Sequence, residues 1–168
     1  ADIGIIGQPN AGKSSLLASI TRATPKIANY KFTTINPNLG VALYDNKEIT
    51  LADIPGLIEG AHSGSGLGIK FLKHIERCKT LLHLIDVNED NLINIYKQIR
   101  NELKKYSKEL VKKNELIVFN KIDLIDKKIL NEKIKKFENK IKKKVLTLST
   151  LNKSSISKIK SKLINYVS

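Results

Sequence analysis

Gly7-Gln8-Pro9-Asn10-Ala11-Gly12-Lys13-Ser14 sets two glycines five positions apart, followed directly by an ammonium and a hydroxyl. This is the spacing G-x-x-x-x-G-K-[ST], which does phosphate chemistry. Glycines let the backbone wrap close to phosphate oxygens, and successive N–H groups at a helix N-terminus hold negative charge. Lys13 would then reach the β- and γ-phosphates, and the Ser14 hydroxyl would bind Mg2+. The competing reading is a chance Gly-rich turn. Against it stands the context: an apolar run over 3–6 precedes the loop, and a helix-like segment opens at its end.

Asp53-Ile54-Pro55-Gly56 follows about forty residues later, at the end of an apolar, strand-like segment. Alone, Asp-x-Pro-Gly reads as a turn. After a phosphate loop, a carboxylate at a strand end suits metal support, and the Gly56 N–H suits a γ-phosphate oxygen. Asn120-Lys121-Ile122-Asp123 comes next, after the apolar run Leu116-Ile117-Val118-Phe119. Open α/β sheets bind ligands at such strand C-termini. A carboxylate there can accept from both N1–H and the exocyclic N2–H of guanine, a donor pair adenine lacks. Such a bidentate contact discriminates by roughly 1–3 kcal/mol in comparable base readout. Lys121 can lay its aliphatic stem over the base. The order of the three elements favours GTP over ATP, and an ATP-dependent kinase or transporter subunit would need a different base loop.

The elements that must position these groups alternate in type. Strands are expected at 3–6, 39–44, 48–53, 80–86, 115–119 and 144–149, with 39–44 and 48–53 joined as a hairpin around Asp45-Asn46-Lys47. Helices are expected at 12–21, 69–78, 90–113, 126–142 and 153–167, and loops at 22–38 and 54–68. The pattern is α/β: a P-loop NTPase three-layer sandwich around a six-stranded, mostly parallel sheet with one antiparallel edge strand. Neither a repeat nor a linker divides residues 1–168, so a single domain is expected.

The net charge of +14 invites a nucleic-acid reading. It is confined to residues 96–168, which hold 21 basic and 7 acidic residues, while residues 1–95 hold 9 of each. The excess is Lys: 27 Lys stand against three Arg, Arg22, Arg77 and Arg100. Specific nucleic-acid sites favour the Arg fork. A solvated lysine face and a functional basic surface both fit. No apolar run reaches the roughly 18 residues of a membrane span. One cysteine, Cys78, excludes an internal disulfide and points to a reducing, cytoplasmic setting, with an organelle stroma or matrix also compatible.

Beyond these motifs the chain resembles the translation-factor-related P-loop GTPases and, within them, the Obg family. The resemblance rests on Tyr30-Lys31-Phe32-Thr33-Thr34-Ile35-Asn36-Pro37-Asn38-Leu39-Gly40 and on Asp53-Ile54-Pro55-Gly56-Leu57-Ile58-Glu59-Gly60-Ala61-His62. It continues through Gly66-Leu67-Gly68 to Phe71-Leu72-Lys73-His74-Ile75-Glu76-Arg77 and covers nearly the whole chain. It implies that Thr34 is the switch I ligand of Mg2+, joining Ser14 and Asp53, and that Phe32, Thr33, Ile35 and Asn36 flank the nucleotide. It extends the contact set through Ser15 and along Ile54 and Pro55. It also implies a base loop at Ser149-Thr150-Leu151, where Thr replaces the usual Ala and a backbone N–H meets guanine O6. Obg proteins carry a glycine-rich domain ahead of this one, so an isolated G domain of a longer protein is expected.

The expected activity is Mg2+-dependent hydrolysis of GTP to GDP and phosphate, with Lys13, Thr34 and Gly56 acting on the reacting phosphate. Many small GTPases place a water-orienting Gln after the switch II glycine. Here Leu57 and Ile58 follow, so intrinsic turnover should be slow, with a partner or a monovalent cation completing the site. Asn10 resembles the residue that binds K+ in related GTPases; stabilising a loop turn is its other reading. Tyr30 and Phe32 either face a partner or pack the loop. His83, inside an apolar strand, is expected to be structural, as is Cys78. The resemblance implies a switch in large ribosomal subunit assembly, with that subunit, rRNA and protein, as partner, and a monomer is expected. The alternative is an RNA- or ribosome-binding module that works through the Lys-rich C-terminal half with little turnover.

Overall fold

Successive side chains along each strand point to opposite faces of the sheet, and in the central strands both faces are buried. The computed structural model describes residues 2–21, 26–27, 38–54 and 75–167. Strands β1 (Ile3–Ile6), β2 (Lys26–Ile27), β3 (Asn38–Tyr44), β4 (Lys47–Asp53), β5 (Thr80–Asp86), β6 (Asn114–Asn120) and β7 (Val145–Leu148) form one sheet in the order β2-β3-β4-β1-β5-β6-β7. Among the described residues the α-helices with both ends placed are α1 (Lys13–Ile20), α2 (Leu92–Tyr106), α3 (Lys127–Ile141) and α4 (Lys153–Val167). Ile3, Ile5, Leu82, Leu84, Leu116 and Val118 face α1 and α4, meeting Leu16, Leu17, Ile159 and Leu163. The intervening Ile6 and Leu81 meet Ile99 and Leu103 of α2. Ile85, Ile117 and Phe119 meet Tyr96 of α2 and Phe137 of α3. Helices therefore cover both faces of the sheet.

β4, β1, β5, β6 and β7 run parallel, and β3 pairs antiparallel with β4, so the six expected strands have the expected directions. The two-residue β2 is an addition, pairing antiparallel with β3. The hairpin turns on Asp45 and Asn46, both at positive φ (52° and 62°). Two successive left-handed residues match the right-handed twist of the strands, and Asp and Asn tolerate that backbone best after glycine. The helix expected over 90–113 ends instead at Tyr106. Ser107 turns extended (φ −156°), and its hydroxyl accepts from the Leu110 N–H at 3.1 Å, opening a short 3-10 turn at Leu110–Lys112. The expected helix at 69–78 lies largely outside the described residues. Among the described residues, no helix is long and apolar enough to cross a membrane.

One charged cluster is sealed between α2 and the sheet. Glu115, its side chain 2% exposed, accepts from Arg100 Nη1 at 3.1 Å and from the Tyr96 hydroxyl at 2.9 Å. His83 Nδ1 lies 3.3 Å away, and the His83 ring stacks on Tyr96. His83 is thus a core residue, as expected. Burial raises the Glu115 pKa, but the contacts with His83, Arg100 and Tyr96 outweigh it and hold the carboxyl at about 2. A depressed carboxylate stabilises the fold above its unfolded pKa and loses that contribution as pH falls through its folded value. Glu115→Gln is therefore expected to cost about 3 kcal/mol at pH 7. Urea unfolding as a function of pH should also lose most of its acid-side slope between pH 4.5 and about 2.

Candidate nucleotide-binding site

Residues 7–12 leave β1 and enter α1, and two of them have to be glycine. Gly7 (φ 154°) and Gly12 (φ 101°) occupy backbone that side chains rarely adopt. A Cβ on Gly7 would run into the Leu84 carbonyl oxygen, and one on Gly12 would sit 2.5 Å from Asn120 Nδ2. Gly12 caps α1 with no side-chain hydrogen bond to its first-turn N–H groups, and such groups at a helix N-terminus suit an anion. Lys13 opens the helix and is 7% exposed. Its Nζ donates to the Gly7 carbonyl at 2.9 Å and the Gln8 carbonyl at 3.3 Å, which holds the ammonium inside the curve of the loop. Gln8, Pro9, Asn10 and Ala11 form the rest of that curve, closed by Ala11 N–H to the Gln8 carbonyl at 3.0 Å.

Parallel pairing sets Ile5 of β1 against Asp53 of β4, delivering the carboxylate beside the loop. Asp53 is 6% exposed; its Oδ2 accepts from Ser14 Oγ at 3.5 Å, and its buried Oδ1 has no hydrogen-bond partner among the described residues. Burial raises its pKa, opposed by the charge of Lys13 and the Ser14 hydrogen bond. An orphaned carboxylate oxygen next to a hydroxyl fits a hard divalent cation, which takes oxygen ligands and relieves the buried charge. For an acid with a raised folded pKa, the ionised form at neutral pH counts against the fold, and the protein gains stability as pH falls. Asp53→Asn should therefore raise the melting temperature of the nucleotide-free protein. The same variant should lose the extra stabilisation that Mg2+ gives in the presence of GDP. Differential scanning fluorimetry with and without EDTA reads both.

The third group comes from the ends of β6 and β7. Asn120, 2% exposed, donates from Nδ2 to the Ala11 carbonyl at 3.0 Å and so bolts the end of β6 to the phosphate loop. Lys121 adopts left-handed backbone (φ 63°) and donates from Nζ to the Asn10 carbonyl at 2.8 Å. Asp123 is exposed, and its Oδ1 accepts from Ser149 Oγ at 2.9 Å. Buried Ser149 is fixed in turn: its N–H donates to Ser155 Oγ at 3.0 Å, and its hydroxyl accepts from the Leu151 N–H at 3.4 Å. Thr150 is half-buried between them and the Leu151 side chain is exposed.

The structure thus brings together Gly7 through Ser14, Asp53, Asn120, Lys121, Asp123 and Ser149 at the C-terminal ends of β1, β4, β6 and β7. Ser15 follows on the exposed side of α1, and Ile54 is fully buried behind Asp53. Phe32, Thr33, Thr34, Ile35, Asn36, Pro55 and Gly56, with Tyr30, Leu57, Ile58, His62 and His74, lie outside the described residues. Two residues escaped sequence reasoning: Asp86, which meets Lys121 Nζ at 3.1 Å, and Asn88, which donates from Nδ2 to the Lys121 carbonyl at 3.1 Å. A carboxylate ending an apolar strand was the only signal for them.

Residues 2–121 match the family described as 50S ribosome-binding GTPase. GTPase Obg of Pelagibacter ubique is 68% identical over 168 residues, all of this chain and 51% of that protein. GTPase Obg of Ehrlichia canis is 59% identical over 152 residues, 90% of this chain and 45% of that protein. The chain spans about half the length of these curated relatives. The G domain of the T. maritima FeoB iron transporter superposes with a TM-score of 0.67 at 21% identity, covering 99% of this chain and 98% of that one, a likeness of fold.

Proposed function

Because the chain belongs to the 50S ribosome-binding GTPase family and carries an Obg-type G domain, we propose that it binds GTP with Mg2+ at this site and hydrolyses it to GDP and phosphate as a molecular switch. One observation carries the reading: the Asn120–Ala11 hydrogen bond joins the loop that holds Lys13 to the strand end that presents Asp123. The phosphate loop and the base-presenting strand end are thereby fixed to one another, while β1–β4 pairing brings Asp53 beside the loop.

In this reading Lys13 and the N–H groups of the loop stabilise charge on the phosphate oxygens as the γ-phosphoryl leaves. Ser14 and Asp53, with Thr34 from switch I, would hold Mg2+. When bound, the ion would supply charge neutralisation at the phosphates. The Gly56 N–H takes a γ-oxygen, so the two switch segments respond to its presence. Phe32, Thr33, Ile35 and Asn36 flank the nucleotide, while Ser149, Thr150 and Leu151 close over the base. Leu57 and Ile58 cannot orient water, so turnover by the domain alone is slow. Asn10 would be the residue to hold K+, which would add positive charge beside the phosphates; stabilising the loop turn is its other reading. Hydrolysis in KCl is then expected to exceed that in NaCl at equal ionic strength; equal rates would remove K+ from the site.

The partner proposed from the family description is the large ribosomal subunit, rRNA and protein, met by a monomeric domain in a cytoplasmic, stromal or matrix compartment. Retention of Lys13, Ser14, Asp53 and Asp123 argues against an RNA-binding module with vestigial nucleotide chemistry. Phosphate release tests the activity directly. Release from GTP in Mg2+, abolished by EDTA and absent with ATP, is expected. No GTP-dependent release in either salt would overturn the reading.

A further inference from the structure

A small carboxylate–amide unit at the end of β5 lies outside the phosphate, metal and base motifs, yet its bonds lead into them. Asp86 ends β5, paired in register with Asn120 of β6. Its Oδ1 accepts from both the backbone N–H and Nδ2 of Asn88, each at 2.9 Å. Its Oδ2 accepts from Lys121 Nζ at 3.1 Å, with the Asp86 side chain only 13% exposed. Asn88 Nδ2 reaches on to the Lys121 carbonyl at 3.1 Å. Between them, the Val87 N–H donates to the Asn120 carbonyl at 3.1 Å.

Lys121 is thus held at its backbone by Asn88 and at its ammonium by Asp86, while that ammonium also reaches the Asn10 carbonyl at 2.8 Å. It needs holding. Its left-handed backbone (φ 63°) is disfavoured for a residue with a Cβ and persists only where surroundings over-determine it. Its flexible four-carbon stem would otherwise sample many rotamers. Burial raises the Asp86 pKa, but the hydrogen bonds from Asn88 and the pairing with Lys121 outweigh that and leave the carboxyl below its ordinary value. Asp86 is therefore ionised wherever the ion pair is needed.

We propose that Asp86 and Asn88 are positioning residues of the nucleotide site, setting Lys121 across the phosphate loop and so slowing release of bound guanine nucleotide. They touch no reacting atom and act through Lys121. The inference rests on the nucleotide-binding reading above. The alternative is a local Asx turn that only shapes the loop after β5.

The test is stopped-flow release of a fluorescent GDP analogue from Asp86→Asn, Asn88→Ala, Lys121→Ala and the double variant Asp86→Asn/Lys121→Ala. Asp86→Asn is expected to speed release roughly three- to tenfold, the effect of weakening one charge-assisted hydrogen bond at a partly exposed pair. Asn88→Ala should act in the same direction through the lost Lys121 carbonyl contact. The double variant should release no faster than Lys121→Ala alone, because the route to the nucleotide is already gone. If the wild-type protein retains no GDP, the nucleotide reading fails and the inference with it. If it retains GDP but Asp86→Asn and Asn88→Ala release it at the wild-type rate, the positioning role alone is wrong. A full additional effect in the Lys121→Ala background likewise overturns it.

Discussion

Lys13→Ala is expected to lower the rate of GTP hydrolysis about a hundred- to a thousandfold, the loss typical of removing a preorganised donor from developing charge. The ammonium is already in place, 7% exposed and bonded to the Gly7 and Gln8 carbonyls, so no reorganisation is needed at the moment of transfer. Its removal would also leave the two loop carbonyls without that donor and Asp53 without the positive charge that opposes its burial. GTP binding should weaken as well, because uniform attraction to the phosphates is lost together with transition-state stabilisation. Single-turnover phosphate release at saturating GTP separates the two effects. A variant that binds weakly but turns over at the wild-type rate would mean that Lys13 serves binding alone.

Asp123→Asn should reduce the affinity for GDP by roughly a hundred- to ten-thousandfold, as expected when a site built for a donor pair loses its acceptor. Ser149 gives this substitution a defined outcome. Its hydroxyl lies 2.9 Å from Asp123 Oδ1. An asparagine can keep that contact through its amide oxygen and turn its NH2 group to the base. It then offers a donor where guanine also offers donors, and a partner for the extra carbonyl of xanthine. The variant should therefore favour xanthosine diphosphate over GDP, measured by competition against a fluorescent nucleotide. Because Asp123 is exposed and held only by Ser149 among the described residues, the fold should tolerate the exchange.

Local signals carried most of the sheet and the phosphate loop: Ile3–Ile6 is buried throughout, as a continuous apolar run covered on both faces predicts, and Gly7 and Gly12 sit where no Cβ fits. The split of the expected 90–113 helix was not legible. Its apolar spacing continues through Leu110, and only the buried Ser107, whose hydroxyl donates to Glu76 Oε1 at 3.1 Å and accepts from the Leu110 N–H, stops it. That contact spans 31 residues and leaves no local trace. The brace at Asp86 is similar. Its partner Lys121 is 35 residues away and comes beside it through β5–β6 pairing. The base loop shows a third case. Ser149, placed by resemblance, is held by Ser155 from the first turn of α4, a contact no motif contains.

If the joined phosphate and base loops form a guanine-nucleotide site, competition binding on the unaltered protein shows it without any substitution. A fluorescent GDP analogue is bound in Mg2+ and titrated with GDP, GTP and ATP. Displacement by GDP and GTP at concentrations at least about a hundredfold below those of ATP is the predicted result, from a bidentate base contact and an unpaired carboxylate in the wrong complex. Displacement by ATP at the same concentrations as GDP would contradict it.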